Sequence, residues 1–107
     1  MKIKVIIKRP SEKPHSTWIS NSLENLQRTV GGDIETFTIS NPKMVLICNK
    51  DGRIQNLPYN CKVGPSSFVS TIIFAGAGIN GELFTDIPIN FQEFKGLYPQ
   101  MFKEVEK

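Results

Sequence analysis

The sequence predicts an α+β domain: a small, mainly antiparallel sheet with one helix after the first strands and a short C-terminal helix. Three observations lead there. The opening residues alternate between apolar and charged, a helical block with a glycine stop follows, and the later apolar runs are joined by hairpin signals rather than crossover helices.

Ile3, Val5 and Ile7 alternate with Lys2, Lys4 and Lys8, the period-two pattern of a strand with one wet face. Pro10 and Pro14 make residues 9–15 a loop, and residues 17–20 add a short strand around Trp18. Asn21 reads as a helix N-cap, with Glu24 completing a capping box. Leu23, Leu26 and Val30 follow at helical spacing, and Gly31-Gly32 supplies a left-handed stop. Residues 34–39 form a β-rich stretch, and Asn41-Pro42 turns into the apolar run 44–48, a central strand.

The segment 49–52 reads as a hairpin turn, with Gly52 available for positive φ and Arg53-Ile54 opening the return strand. Pro58 then breaks regularity. Gly64-Pro65 marks another loop, and residues 68–74 read as a second buried strand, running into a flexible glycine-rich connection at 75–81. Leu83-Phe84 gives a short strand. Asn90 with Glu93 repeats the capping logic for a last helix, in which Phe91, Phe94, Tyr98 and Met101 line one face until Gly96 and Pro99 weaken it.

A length of 107 residues suits one domain, 1–107, with one modest core. The 39% hydrophobic and 21% charged content is that of a globular rather than a disordered chain. The net charge of +3 is compatible with an anionic partner without requiring one; its surplus lies in Lys2, Lys4, Lys8, Arg9 and Lys13, read as a cluster that keeps an edge strand solvated. No apolar stretch is long enough to span a membrane, and the start does not read as a signal peptide, so the expectation is a cytoplasmic chain. Cys48, in an apolar run, and Cys61, in a loop, then read as free thiols.

Catalytic groups are sparse. The one histidine, His15, sits in a proline-bounded loop with no local sign of a Cys or Ser partner. Metal-ligand spacings are missing from the sequence, and Asp33 with Glu35, sharing a strand face, is the only close acidic pair in the chain's interior. The glycines of 75–81 expose backbone N–H groups as anion-binding loops do, but Glu82 stands where a P-loop has Lys. Nucleic acid is disfavoured, because the best helix carries only Arg28 as a cation.

Residues 23–35, with their leucine-bearing helix, Val-Gly-Gly and Ile-Glu, resemble a signature of domain of unknown function family 3846. Residues 45–60, an apolar strand, an Asn-x-x-Gly turn and Leu-Pro-x-Asn, resemble its second signature, and residues 73–76 its following strand. The likeness covers residues 2–90 and departs from the pattern at 61–70. It implies an origin in phages, plasmids and other mobile elements, and places the family's polar signature on Glu35, Asn49 and Asn60 with Gly31, Gly32, Gly52 and Gly76 as backbone positions.

The expected function is accessory: a non-enzymatic protein that binds a small anionic, nucleotide-type ligand, in its concrete form a host immune signal sequestered against defence. No cofactor or metal is expected. The candidate ligand-binding residues are Trp18, Arg53, Tyr59, Asn60, Gly76, Gly78 and Asn80, with cations for phosphates, glycine N–H groups for oxygens and an aromatic ring for a base. A small chain forms a deep pocket more readily between subunits, which predicts a homo-oligomer. The alternatives are a protein-binding inhibitor of a host enzyme, and a metal-dependent nucleotide hydrolase built on Asp33 and Glu35.

Overall fold

The computed structural model describes residues 1–79, 81 and 83–103. Its elements are β1 (Lys2–Lys8), β2 (His15–Ser20), α1 (Leu23–Val30), β3 (Ile34–Ser40), β4 (Lys43–Asn49), β5 (Tyr59–Val63), β6 (Ser66–Val69), β7 (Ile72–Ala77), β8 (Phe84–Thr85), α2 (Phe91–Leu97) and a closing 3₁₀ turn, Pro99–Phe102. The principal sheet runs β2-β1-β7-β4-β3, and every pairing in it is antiparallel. The short strand β8 pairs with the far end of β7 at Gly76 and Ala77. The fold is thus the α+β, mainly antiparallel arrangement expected.

Both faces of this sheet are covered. On one, Val5, Ile7, Val45, Ile47, Ile73 and Ala75 meet Leu26 and Val30 of α1. On the other, Ile6, Met44, Leu46, Ile72 and Phe74 meet Phe68 of the β5–β6 hairpin, Phe94 of α2 and Met101 of the 3₁₀ turn. Two covered faces explain why β4 and β7 are almost continuously apolar where a half-solvated strand would alternate. Phe74 and Phe94, both fully buried, meet edge-on with ring centroids 4.8 Å apart. Each such buried ring contributes roughly 1.5–3 kcal/mol.

Helix α1 starts one residue later than its capping pattern predicts. Ser22, with extended φ/ψ, accepts from the Asn25 N–H at 3.2 Å, while Asn21 Nδ2 donates to the Phe84 carbonyl at 2.9 Å and anchors the helix to β8. Glu24 completes no capping box; it makes an exposed 3.6 Å pair with Arg28. Leu23, expected on the packed face, is exposed. The stop is as predicted: Gly31 has φ of 86° and its N–H returns to the Gln27 carbonyl. At α2 the capping box between Asn90 and Glu93 is complete, and the helix ends at Leu97.

Three sequence expectations are corrected between β4 and β8. First, residues 50–56 form successive turns, not a hairpin, and Arg53-Ile54 opens no strand; β4 pairs instead with β3 and β7. Gly52 has no positive φ. It is needed because a Cβ there would stand 2.7 Å from Val69 Cγ2.

Second, residues 68–74 are two strands. Ser70, at φ of 61°, turns the chain between β6 and β7, its N–H held by the Pro58 carbonyl at 2.7 Å. Third, Gly76 lies inside β7 rather than in a flexible loop. Cys61 is likewise a strand residue in β5, and His15 opens β2 instead of sitting in a loop. The basic strand β1 is an interior strand, because β2 covers its outer edge.

Candidate functional site

The sequence-predicted site residues are not assembled into one place. Trp18, just over half exposed, stands on the outer strand β2 beside a shallow cleft with Lys2, Arg9 and His15. Arg53 lines a separate cleft of about 330 Å³ with Glu35, Phe37, Lys50 and Phe68, and donates to the Ser67 carbonyl. Gly76 is occupied by packing: a Cβ there would overlap the Asp86 carbonyl oxygen and Thr85 Oγ1. Gly78 is exposed just after β7, and Asn80 lies outside the described residues. Tyr59 and Asn60 do come together.

They do so in a cleft of about 560 Å³ between the end of β1, strand β5 and the 3₁₀ turn, lined by Lys8, Ser11, Tyr59, Asn60, Cys61, Lys62, Gln100, Met101 and Lys103. Three of these residues are lysines and none is an acid. The positions follow from local structure. Lys8 ends β1 on the face that also carries Ile6, and β5 brings Tyr59 and Lys62 to the rim, both exposed. Pro99 starts the 3₁₀ turn that lays Met101 into the core and leaves Lys103 outside.

The floor of this cleft is polar and buried. Lys8 is only 5% exposed, and its Nζ donates to the Arg9 carbonyl at 2.9 Å. Burial pushes its ammonium below the usual lysine range, a shift opposed by Cys61 and by Glu12. Burial raises the Cys61 thiol in turn, with Lys8 acting against it. Asn60 is 8% exposed; its Nδ2 donates to the carbonyls of Lys8, at 2.8 Å, and Ser70, at 2.6 Å. Those two carbonyls fix the amide's orientation, and they leave Oδ1 buried without a donor among the described residues.

Sequence reasoning missed Lys8, Ser11, Lys62, Gln100, Met101 and Lys103. A faint signal was present for Lys8: it continues the alternation of β1 onto the Ile6 face, so only knowledge that this face is covered would have buried it. The two acids have different neighbours. Asp33 precedes β3 and accepts from Gln27 Nε2, whereas Glu35 faces the cleft with Arg53. Among the described residues no group of three or more His, Cys, Asp or Glu side chains could hold a metal ion, and no helix is long and apolar enough to cross a membrane.

The family resemblance acquires a structural meaning here. Asn49, 6% exposed, accepts from the Asp51 N–H at 2.8 Å and donates to the Val30 carbonyl at 3.2 Å, so it closes the end of α1. Gly32 lets it approach, since a Cβ there would sit 2.9 Å from Asn49 Nδ2. Val-Gly-Gly and the distant Asn therefore form one joint.

The match agrees over almost the whole chain: the family described as a domain of unknown function (DUF3846) covers residues 1–103. The chain belongs to that family. No curated protein and no solved structure matches it. In this DUF3846 chain, Gly31, Gly32, Gly52, Gly76, Asn49 and Asn60 all serve the scaffold, and of these only Asn60 also faces the lysine cleft.

Proposed function

We propose that this DUF3846 protein binds a small anionic ligand of nucleotide type in the cleft between β1, β5 and the 3₁₀ turn. One observation carries the reading: Lys8, Lys62 and Lys103 converge on the cleft, and among the described residues no carboxylate lines it. A concave site of one sign concentrates an oppositely charged solute, and ammonium groups donate charge-assisted hydrogen bonds to phosphate oxygens. Lys62 and Lys103, both exposed, meet the anion at the rim, Ser11 adds a hydroxyl, and the ring of Tyr59 offers a face to a base.

The cleft's side chains bind rather than turn over such a ligand. Cys61, the one nucleophilic thiol there, is held protonated by burial. Binding without turnover suits an accessory protein of a phage or mobile element that sequesters a nucleotide-type signal in a host cytoplasm, with subunits assembled into a homo-oligomer. Calorimetry with cyclic dinucleotides, ADP-ribose derivatives and inorganic phosphate tests the binding. The expected result is saturable binding that weakens with salt and is lost in Lys62→Glu/Lys103→Glu. A flat titration across the panel refutes it. Native mass spectrometry of the purified protein reads the subunit count and any retained molecule together.

A further inference from the structure

Lysine side chains are almost never fully buried without a paired acid. Lys8 is 5% exposed, its Nζ has one hydrogen-bond acceptor, the Arg9 carbonyl, and no carboxylate lies within ion-pairing distance of it among the described residues. It also lines the cleft of about 560 Å³. Lys8 is thus largely withdrawn from bulk water yet lines a volume that a small molecule can fill.

Building on the anion-binding reading of this cleft, we propose that Lys8 is a nucleophilic amine that forms a reversible Schiff base with a small carbonyl compound bearing an anionic group. Lys62 and Lys103 hold the anion at the rim and Lys8 meets the carbonyl at the floor. The neutral Nζ attacks the carbonyl carbon, and the carbonyl π pair moves to oxygen, which takes up a proton. The resulting carbinolamine expels that oxygen as water while the nitrogen lone pair forms the C=N bond. Both amine hydrogens are lost, one water leaves, and no oxidant or reductant is consumed.

The surroundings shift the balance toward the neutral amine relative to an exposed lysine. Burial disfavours the ammonium, whereas Cys61 and Glu12 oppose that shift. Asn60 holds the Lys8 carbonyl and so positions its backbone without touching the amine.

The test is reductive trapping on the full chain. Protein is incubated with pyridoxal 5′-phosphate, an aldehyde carrying a phosphate, reduced with sodium cyanoborohydride, and mapped by peptide mass spectrometry. Simple exposure ranks Lys8 below Lys2, Lys4, Lys13, Lys43, Lys50, Lys62, Lys95 and Lys103, all of which are exposed. The proposal inverts that order. The stable adduct concentrates at Lys8, and falls by at least about tenfold with excess inorganic phosphate or with pyridoxal lacking the phosphate. A hemithioacetal at Cys61 reverses and leaves no reduced product.

Labelling that follows exposure and spares Lys8, while phosphate still shifts the NMR signals of Lys62 and Lys103, overturns the Schiff-base role and leaves anion binding standing. Loss of both the Lys8 adduct and the phosphate shifts overturns the two together.

Discussion

Gly76→Ala is the substitution that most sharply separates a glycine kept for packing from one kept for a ligand. The added Cβ meets the Asp86 carbonyl oxygen and Thr85 Oγ1, with the Asp86 carbonyl carbon at 3.3 Å. Thr85 can rotate away, at the loss of its 2.8 Å bond to the Ala77 carbonyl. Asp86 cannot easily follow. Its Oδ1 accepts from the Lys4 N–H at 2.8 Å, and the neighbouring Ile87 N–H donates to the Lys4 carbonyl at 2.8 Å, so the β8 segment is tied to β1. Overpacking against backbone of this kind costs about 2–3 kcal/mol. For 107 residues the unfolding entropy is roughly 0.2 kcal/mol/K, so Tm falls by about 9–14 °C. Thermal unfolding followed by far-ultraviolet circular dichroism reads the shift, and urea unfolding supplies the free energy independently. A Tm within about 2 °C of the parent would refute the close-approach reasoning.

Gly96→Ala is the counterpart, because nothing lies within 4 Å of its Cβ position and the residue sits in α2. It is expected to raise stability by about 0.5 kcal/mol in the same assays, since alanine loses less entropy on entering a helix. The thiols should separate in alkylation at pH 8.5: Cys48, buried and raised to about 11, reacts far more slowly with iodoacetamide than the half-buried Cys61, as quantified by mass spectrometry of each peptide. Lys8→Met should change the pH dependence of unfolding. The folded-state pKa of Lys8 is lowered, so its burial penalty is fully present below that pKa and disappears as pH rises from there toward the unfolded value of 10.5. The parent's urea midpoint relative to Lys8→Met should therefore rise across that window, and parallel pH profiles would refute it.

What was legible in the sequence was what neighbouring residues decide. The alternation of β1, the left-handed stop at Gly31 and the Asn90–Glu93 capping box each depend on a few adjacent side chains. What was missed is decided across the chain. Asn21 looks as good an N-cap as Ser22 until Phe84 claims its amide. The run 68–74 reads as one strand until Ser70 is seen bridging to Pro58 and Asn60. Likewise, β1 looks like a solvated edge because its lysines are visible, whereas its cover by β2 and by Phe68 of the β5–β6 hairpin depends on pairing and packing that only the structure shows. The lysine cleft is the extreme case, since Lys8, Lys62 and Lys103 come from opposite ends and the middle of the chain.

This division bears on how the cleft should be probed. The signature glycines and Asn49 hold α1, the 50–56 turns and β7–β8 in place, at positions that touch no part of the lysine cleft. Asn60 is where scaffold and cleft coincide. Its amide bridges the end of β1 to the corner between β6 and β7, and its removal leaves the buried Lys8 carbonyl and the partly buried Ser70 carbonyl without that donor, a cost of about 1–3 kcal/mol where water cannot replace it. Any loss of binding in Asn60→Ala would thus be inseparable from displacement of Lys8. Lys62 and Lys103 carry no such burden, being exposed, so charge reversal there changes the field over the cleft while leaving the fold intact. A binding defect in those two variants at unchanged Tm is the observation that ties the ligand to the cleft.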